Sequence, residues 1–596
     1  MAAPVHTKVP RSIRKKPRNY IRELCRKESR YEDTLSTRSS TWNTRISPGI
    51  LSNGFNRAGA SPFSKLSLEL KQHIFSFIHV RNDRKAVRLV CMDWRNASEY
   101  VFGHEFRTFR VYADAPFLKT LSRLGPNKIL RAPPGFEGPK VLLAIQGLII
   151  DHIKYHTRNP KYPPDLKELF RFIPHGQLQL LHFTDTCQID HLRLLLGGQH
   201  NLRHLALPPR VFQFDFECFD EKGLTEFKDH ISSCKQLQSL HISIKNTIED
   251  HDAARFIVHA LPNLRCLSLD MMRTYNPEPS PGSPFFQNPE QLTKLINLEV
   301  LQLTGPWPWC TLDHINFRTL VVLKLRNLRN TSTILRRLNE SPQSLADIGT
   351  SLRSLEVILA WVFNDTSVRD DLELMIKSFS GLHTLVIYTE NNGLINPSTI
   401  EPHAASLRHL SINSNGDGDE HCYSAEQVQS ILRTCQDLET FAIRLPIHQR
   451  DSHDPRSIEG IETGSSLPQI LKTIAMLKKL RALRVFYPRS RNSSFDSNHL
   501  DLANMLLKVL GYYGSSIELL CTKPIWMSRR YTRACLYYRP KTSIDILGRS
   551  QTVALPFPRA EAELSDMEII FEEYECVNMG PKLDIWVPRL IDSPVF

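Results

Sequence analysis

The sequence predicts an α/β chain: a small helical unit near the N-terminus, followed by an irregular solenoid of strand-and-helix units with a curved parallel sheet inside and helices outside. Three observations carry this. A leucine pattern recurs through the middle of the chain at steps of about 30 residues. The last two apolar positions of each unit alternate with other residues, as the side chains of a strand must. Between those strands lie stretches with apolar residues at helical spacing.

The repeat units read, in order, Leu178-Leu181-Phe183, Leu202-Leu205-Leu207, Leu237-Leu240-Ile242, Leu264-Leu267-Leu269, Leu298-Leu301-Leu303 and Leu320-Leu323-Leu325. They continue as Leu352-Leu355-Val357, Leu382-Leu385-Ile387, Leu407-Leu410-Ile412, Leu438-Phe441-Ile443 and Leu480-Leu483-Val485. A single Leu-x-x-Leu-x-Leu says little, because leucine is common; eleven in register form the signature of leucine-rich repeats. One strand plus one helix cannot bury its apolar face alone, so the units must stack. Asp371–Phe379 and Ala425–Leu432 are two of the intervening helices. The step varies from 22 residues (Leu298 to Leu320) to 42 (Leu438 to Leu480), which predicts an irregular arc with inserted loops.

Before the repeats, residues 65–100 place Leu66, Leu70, Ile74 and Phe77/Ile78 on one helical stripe, and Val87, Val90, Trp94 and Ala97 on another. Two or three helices of this length cannot enclose so many large side chains, so the rest of the chain or a partner must cover some of them. The run Leu66, Glu69-Leu70, Ile74, Arg88-Leu89-Val90-Cys91 and Trp94-Arg95 resembles an F-box, the helical module that docks on the Skp-type adaptor of SKP–cullin–F-box ubiquitin ligases. That family usually carries Pro where this chain has Ser67, and Leu where the second helix opens at Arg84-Lys85-Ala86. Ser233-Cys234 and Thr434-Cys435 resemble the cysteine-containing repeat variant that often follows an F-box. The expected organisation is a basic disordered tail (1–60), the F-box (62–103), a connecting and capping region (104–175), the repeats (176–520) and a C-terminal cap and tail (521–596). Within 104–175 a strand is expected at Phe109–Tyr112 and a helix near 139–155.

Composition narrows the function classes. Of 596 residues, 41% are hydrophobic and 23% charged, enough for a large core and incompatible with a fully disordered chain. The longest apolar stretch, Val141 to Ile153, falls short of the roughly 20 residues a bilayer requires, and no membrane association or secretory leader is expected. Twelve cysteines without a CxxC pair read as reduced thiols of an intracellular protein, cytoplasmic and/or nuclear. The net charge of +13 is concentrated in residues 1–60, where thirteen Lys and Arg face four acids; only +4 remains for the other 536 residues. Within that tail, Arg14-Lys15-Lys16-Pro17-Arg18 is either a nuclear-import signal or simply solvated basic chain.

Chemistry is expected to be absent. No GxxxxGK[ST], HExxH or GxSxG occurs, the 23 histidines lack zinc spacing, and no catalytic residue, metal or cofactor is expected. Asn413-x-Asn415-x-Asp417-Gly418 imitates the start of a calcium loop, but Ser424 stands where the twelfth-position Glu belongs. On the concave side, the residues flanking the second leucine of each unit include only Lys324, Glu356 and Arg484 as charged groups among twenty. A groove for nucleic acid is lined with cations, so this face does not suit one; a protein segment fits better. Trp307 and Trp309, in Gly305–Cys310, are either exposed anchors or a cover for the core.

The resemblance implies a non-catalytic substrate receptor. Leu66, Leu70, Ile74, Leu89, Val90 and Trp94 would bind the adaptor, and through it the cullin and RING subunits. The solenoid would bind an unidentified target protein, with Trp307, Trp309, His241, Lys324 and Glu356 as candidate contacts. The alternative is a leucine-rich-repeat scaffold with no ligase role.

Overall fold

The computed structural model describes scattered positions between residues 66 and 94, strand 108–112, and then, with gaps at the longer connections, residues 146–151, 169–207, 229–271, 297–305, 316–359, 367–415, 421–446, 466–488, 497–525 and 536–557. The expected tail (1–60), the insertion holding Trp307 and Trp309, and most of 62–103 lie outside the described residues. The chain divides into two compact units, Met1–Lys71 and Gln72–Phe596.

The second unit is a mixed α/β structure built on one sheet of sixteen strands that follow one another in chain order. The strands are β1 (Thr108–Tyr112), β2 (Gly147–Asp151), β3 (Leu180–Phe183), β4 (His204–Leu207), β5 (Ser239–Ile244), β6 (Cys266–Met271), β7 (Val300–Thr304) and β8 (Val322–Arg326). They continue as β9 (Ser354–Leu359), β10 (Thr384–Glu390), β11 (His409–Asn415), β12 (Thr440–Arg444), β13 (Ala482–Pro488), β14 (Leu519–Ile525), β15 (Leu536–Ile544) and β16 (Ser550–Phe557). Pairing is parallel from β1 to β14; the last two steps are antiparallel. The eleven repeat units supply β3 to β13, in phase with their leucines. Register pairs Leu323 with Leu355, Leu355 with Leu385, and Leu385 with Leu410.

Those leucine positions point into one continuous core. Leu323, Leu355, Leu385 and Leu410 are all fully buried, as are Leu325, Val357 and Leu359 two or four residues further on. Each such side chain contributes about 1.5–3 kcal/mol relative to exposure.

The connecting helices supply the other wall. Among the described residues they include α1 (Ile189–Gly198), α2 (Thr331–Glu340), α3 (Pro342–Ser351), α4 (Ser367–Lys377), α5 (Ala425–Thr434), α6 (Leu467–Ala475) and α7 (Ser497–Tyr512). In α4, Val368, Leu372, Met375 and Ile376 form the buried stripe; in α6, Leu467, Ile470, Leu471 and Ile474 do the same. This is the spacing of three and four that puts side chains on one helical face. Helix α5 begins at a capping box in which Ser424 and Gln427 satisfy each other's backbone N–H groups. Neighbouring helices pack together (α2 on α4, α5 on α6, α6 on α7), so each unit covers the flank of the next.

One expected helix is corrected. Within 139–155, the described residues from 147 to 151 form strand β2, not helix. Leu148, Ile149 and Ile150 are all buried, so both faces of this strand are covered. A strand buried on both sides reads as a continuous apolar run without alternation, and the β-branched Ile149 and Ile150 favour the extended state. The sheet therefore starts two strands before the first leucine unit. At the other end, where the leucine pattern fades, β14 still pairs in parallel with β13, and the hairpin β15–β16 closes the sheet edge. Helix α7 packs on β16, which Gly511 permits: a Cβ there would meet the Thr552 hydroxyl.

Candidate ligand face

Side chains alternate along a strand, so the residues between the core leucines form ladders on the face turned away from the helices. The register defines two. The first runs His182, Ala206, His241, Ser268, Gln302, Lys324, Glu356, Val386, Ser411, Ala442, Arg484 and Cys521. The second, two residues further on, includes Asp270, Thr304, Arg326, Ile358, Tyr388, Asn413, Arg444 and Phe486.

The face has three regions of different chemistry. At β3–β6 it is imidazole and hydroxyl. His241 makes hydrogen bonds through Nδ1 to Ser268 Oγ (2.8 Å) and through Nε2 to Ser243 Oγ (3.1 Å). Burial, and then the neighbouring His182, lowers its pKa to about 3, so His241 is neutral at physiological pH. Burial likewise lowers His204 to about 4, with Arg203 adding to the effect.

At β6–β9 the face is ionic. Glu356 Oε1 accepts from Arg326 Nε at 2.6 Å, and its Oε2 lies 3.6 Å from Lys324 Nζ. Burial opposes the charge on Glu356, but the two cations outweigh it and hold the carboxyl below its usual range. Asp270, two strands from Arg326 in the same ladder, is different: burial raises it to about 6, against a weaker pull from Arg326.

At β10–β14 the face is apolar with buried cations. Ala442, Ala482, Phe486, Leu519, Cys521 and Tyr537 form a cluster separate from the main core, with Val386 against it. Arg484 sits over the Phe486 ring, 5.8 Å from its centroid, and donates from Nε to Cys521 Sγ at 3.4 Å. Arg444 and Asn413 lie beside this cluster, both buried.

Of the candidate target contacts, His241, Lys324 and Glu356 are all on this face. Lys324 and Glu356 are brought together as an ion pair, while His241 is three strands away. Trp307 and Trp309 lie outside the described residues, as do Leu89 and Val90. The other candidate adaptor residues are placed individually. Leu66 and Trp94 are half-buried, with the Trp94 ring 5.6 Å from Phe75, whereas Leu70 and Ile74 are 46% and 38% exposed. Ser67, where the F-box family usually has proline, accepts the Leu70 N–H through its hydroxyl at 3.3 Å and so caps a helical turn.

Sequence reasoning missed Asp270, Arg326, Asn413 and Arg444, because it stopped counting one residue after the second leucine. The signal was available: buried Ile244, Met271 and Leu359 continue the alternation one step further, so their preceding residues had to be on the ligand face. With the second ladder added, Lys324, Arg326, Arg444 and Arg484 stand against Asp270 and Glu356 among the described side chains. The face is thus more charged than the leucine-flanking positions alone suggest.

Asn413 and Asn415 belong to β11, so the stretch that imitates a calcium loop begins as a strand. Among the described residues, no three His, Cys, Asp or Glu side chains gather as a metal site, and no helix is long and apolar enough to cross a membrane. No protein-family model matches the chain, and no curated protein matches it.

Proposed function

We propose that the chain is the substrate-recognition subunit of an SKP–cullin–F-box ubiquitin ligase, built from an F-box and a leucine-rich-repeat solenoid. In this reading residues 62–103 take the Skp-type adaptor, and the two-ladder face of the sheet takes a target protein in the cytoplasm or nucleus. The receptor does no chemistry. It raises the effective concentration of target lysines near a charged conjugating enzyme carried by the cullin and RING subunits.

The observation that carries the reading is the exposure of Leu70 and Ile74. Both are large apolar groups at positions where the F-box pattern places its docking residues, while the neighbouring Lys71 and Phe75 are buried. Leucine and isoleucine left in water are the groups an apolar partner surface would cover.

The test uses the full chain and a purified Skp-type adaptor, comparing wild type with a Leu70→Asp/Ile74→Asp double variant. Because both side chains are solvent-exposed in the free chain, the charges leave folding intact, which circular dichroism checks. Binding weakened by about a hundredfold or more supports the reading. Wild-type chain that does not bind the adaptor, or a variant that binds as tightly, refutes it.

A further inference from the structure

We propose that Arg444 and Asn413 form an anion-receiving site on strands β11 and β12, whose occupant is an acidic group on an extended protein segment. The inference deepens the target-receptor reading. It is tested without the adaptor, so the two can fail separately.

Arg444 ends β12 and is 4% exposed. Its guanidinium makes one hydrogen bond, from Nη1 to the Ser414 carbonyl at 2.9 Å. Its Nε–H is buried and meets no acceptor. Among the described residues, no carboxylate lies within ion-pair distance of it. Arg326 offers the contrast: it occupies the same ladder four strands earlier, roughly 19 Å away at the usual strand spacing, and is paired with Glu356 at 2.6 Å. One arginine of this ladder carries its own acid; the other has none among the described residues.

A buried charge without a counter-charge is costly unless something supplies one. A water molecule can answer the Nε–H but cannot neutralise the charge; an anion does both. The guanidinium fork matches carboxylate or phosphate oxygens.

The neighbourhood suits such a guest. Asn413 is the next residue across the β11–β12 register after Ile412↔Ile443. It is 3% exposed, and its carboxamide Nδ2 can bring further N–H donors to the same anion. The adjoining first-ladder positions are Ser411 and Ala442, both small side chains. Tyr388 and Phe486 occupy the ladder on either side. The apolar cluster around Ala442 and Phe486 lowers the local dielectric, which strengthens a charge-assisted hydrogen bond. Charge complementarity therefore selects an acidic segment, its anion being either a carboxylate or a phosphate.

The experiment measures binding of fluorescein-labelled octaglutamate, a serine–glycine peptide with phosphorylated serines, and octaglutamine to the full chain at constant ionic strength. Wild type is compared with Arg444→Met and with Arg265→Met, a control at an exposed arginine. At least one anionic peptide is expected to bind wild type more than tenfold tighter than octaglutamine does. Arg444→Met is expected to abolish that difference, with Arg265→Met within twofold of wild type; which peptide binds identifies the source of the anion. Equal binding by Arg444→Met, or no preference over octaglutamine in wild type, overturns the proposal. In case Arg444→Met does not fold, Asn413→Ala supplies an independent measure: loss of the preference for the anionic peptide supports the site, and an unchanged preference overturns it.

Discussion

Replacing Glu356 with glutamine removes a charge that pairs with both Arg326 and Lys324 on the sheet face turned away from the helices. The structure sets the size of the effect. Glu356 lies 2.6 Å from Arg326 and 3.6 Å from Lys324, and the three side chains are 9%, 15% and 13% exposed. At an effective dielectric constant of about 20, the gross attractions are about 6 and 5 kcal/mol. Most of this is offset by the cost of removing three charges from water, so the net worth of the cluster is small. The variant is a different matter, because it takes the shared carboxylate away from both cations at once. Breaking a fully buried pair costs about 3–5 kcal/mol; the slight exposure of both cations reduces the expected loss to about 2–3 kcal/mol.

A long repeat array does not guarantee a two-state transition, so the measurement is amide hydrogen exchange in β7–β9. A loss of this size speeds exchange about 30- to 150-fold. Glu299→Gln is the control: it breaks the Arg265–Glu299 pair, whose side chains are 51% and 36% exposed, and a pair of that kind is worth about 0–1 kcal/mol. The triple change Lys324→Met/Arg326→Met/Glu356→Leu should restore part of the protection, since both cations go together with their anion while Asp270 loses the pull of Arg326. If Glu356→Gln changes exchange no more than Glu299→Gln does, the cluster is effectively solvated and the reasoning fails.

Three further outcomes are expected. Stability should fall as pH drops from about 6.5 towards 4, because His204 and His409 are lowered to about 4 and His241 to about 3, and the unfolded chain therefore binds the extra protons. At pH 5 each contributes a loss of about 1–2 kcal/mol; Asp270, raised to about 6, opposes this by holding its proton in the folded chain, and one acid cannot cancel three histidines. A denaturation midpoint unchanged between pH 7 and pH 5 would contradict the burial of these rings. Gly305→Ala should cost about 2–4 kcal/mol, because Gly305 has φ of +100° and a Cβ would collide with the Met271 carbonyl; Gly514→Ala, at φ +77° in open space, should cost only about 1 kcal/mol in the same urea titration. His403→Phe should cost about 2–4 kcal/mol in thermal or urea unfolding, since it strands the Leu382 N–H, now donated to Nδ1 at 3.3 Å, and the Ile376 carbonyl, 3.0 Å from Nε2; a neutral result would show that these groups find other partners.

The sequence by itself determined the repeating part of the sheet. The leucines of each unit face the core, and their alternation places β3 to β13 because a strand's side chains have a period of two. It also located the helical stripes of α4 and α5, whose apolar spacing needs no partner to be read. Strand β1 was legible too, as the expected strand Phe109–Tyr112, but tertiary structure decided β2 and the far end of the sheet. Strand β2 is apolar on both faces, so a period-two signal was never present, and the β15–β16 hairpin has no leucine unit to announce it.

Tertiary structure also decided the chemistry of the ligand face. Alternation says that Lys324, Arg326, Glu356 and Arg444 face the same way, but not which of them touch. That depends on register between residues some 30 positions apart in chains whose repeat step varies from 22 to 42. Glu356 falls beside Arg326 and Lys324 and pairs with both, while no acid falls beside Arg444 among the described residues. Two arginines at equivalent strand positions thus acquire opposite electrostatic states, because hydrogen-bonding and ion-pair contact act over about 3 Å and only the folded sheet sets distances that short.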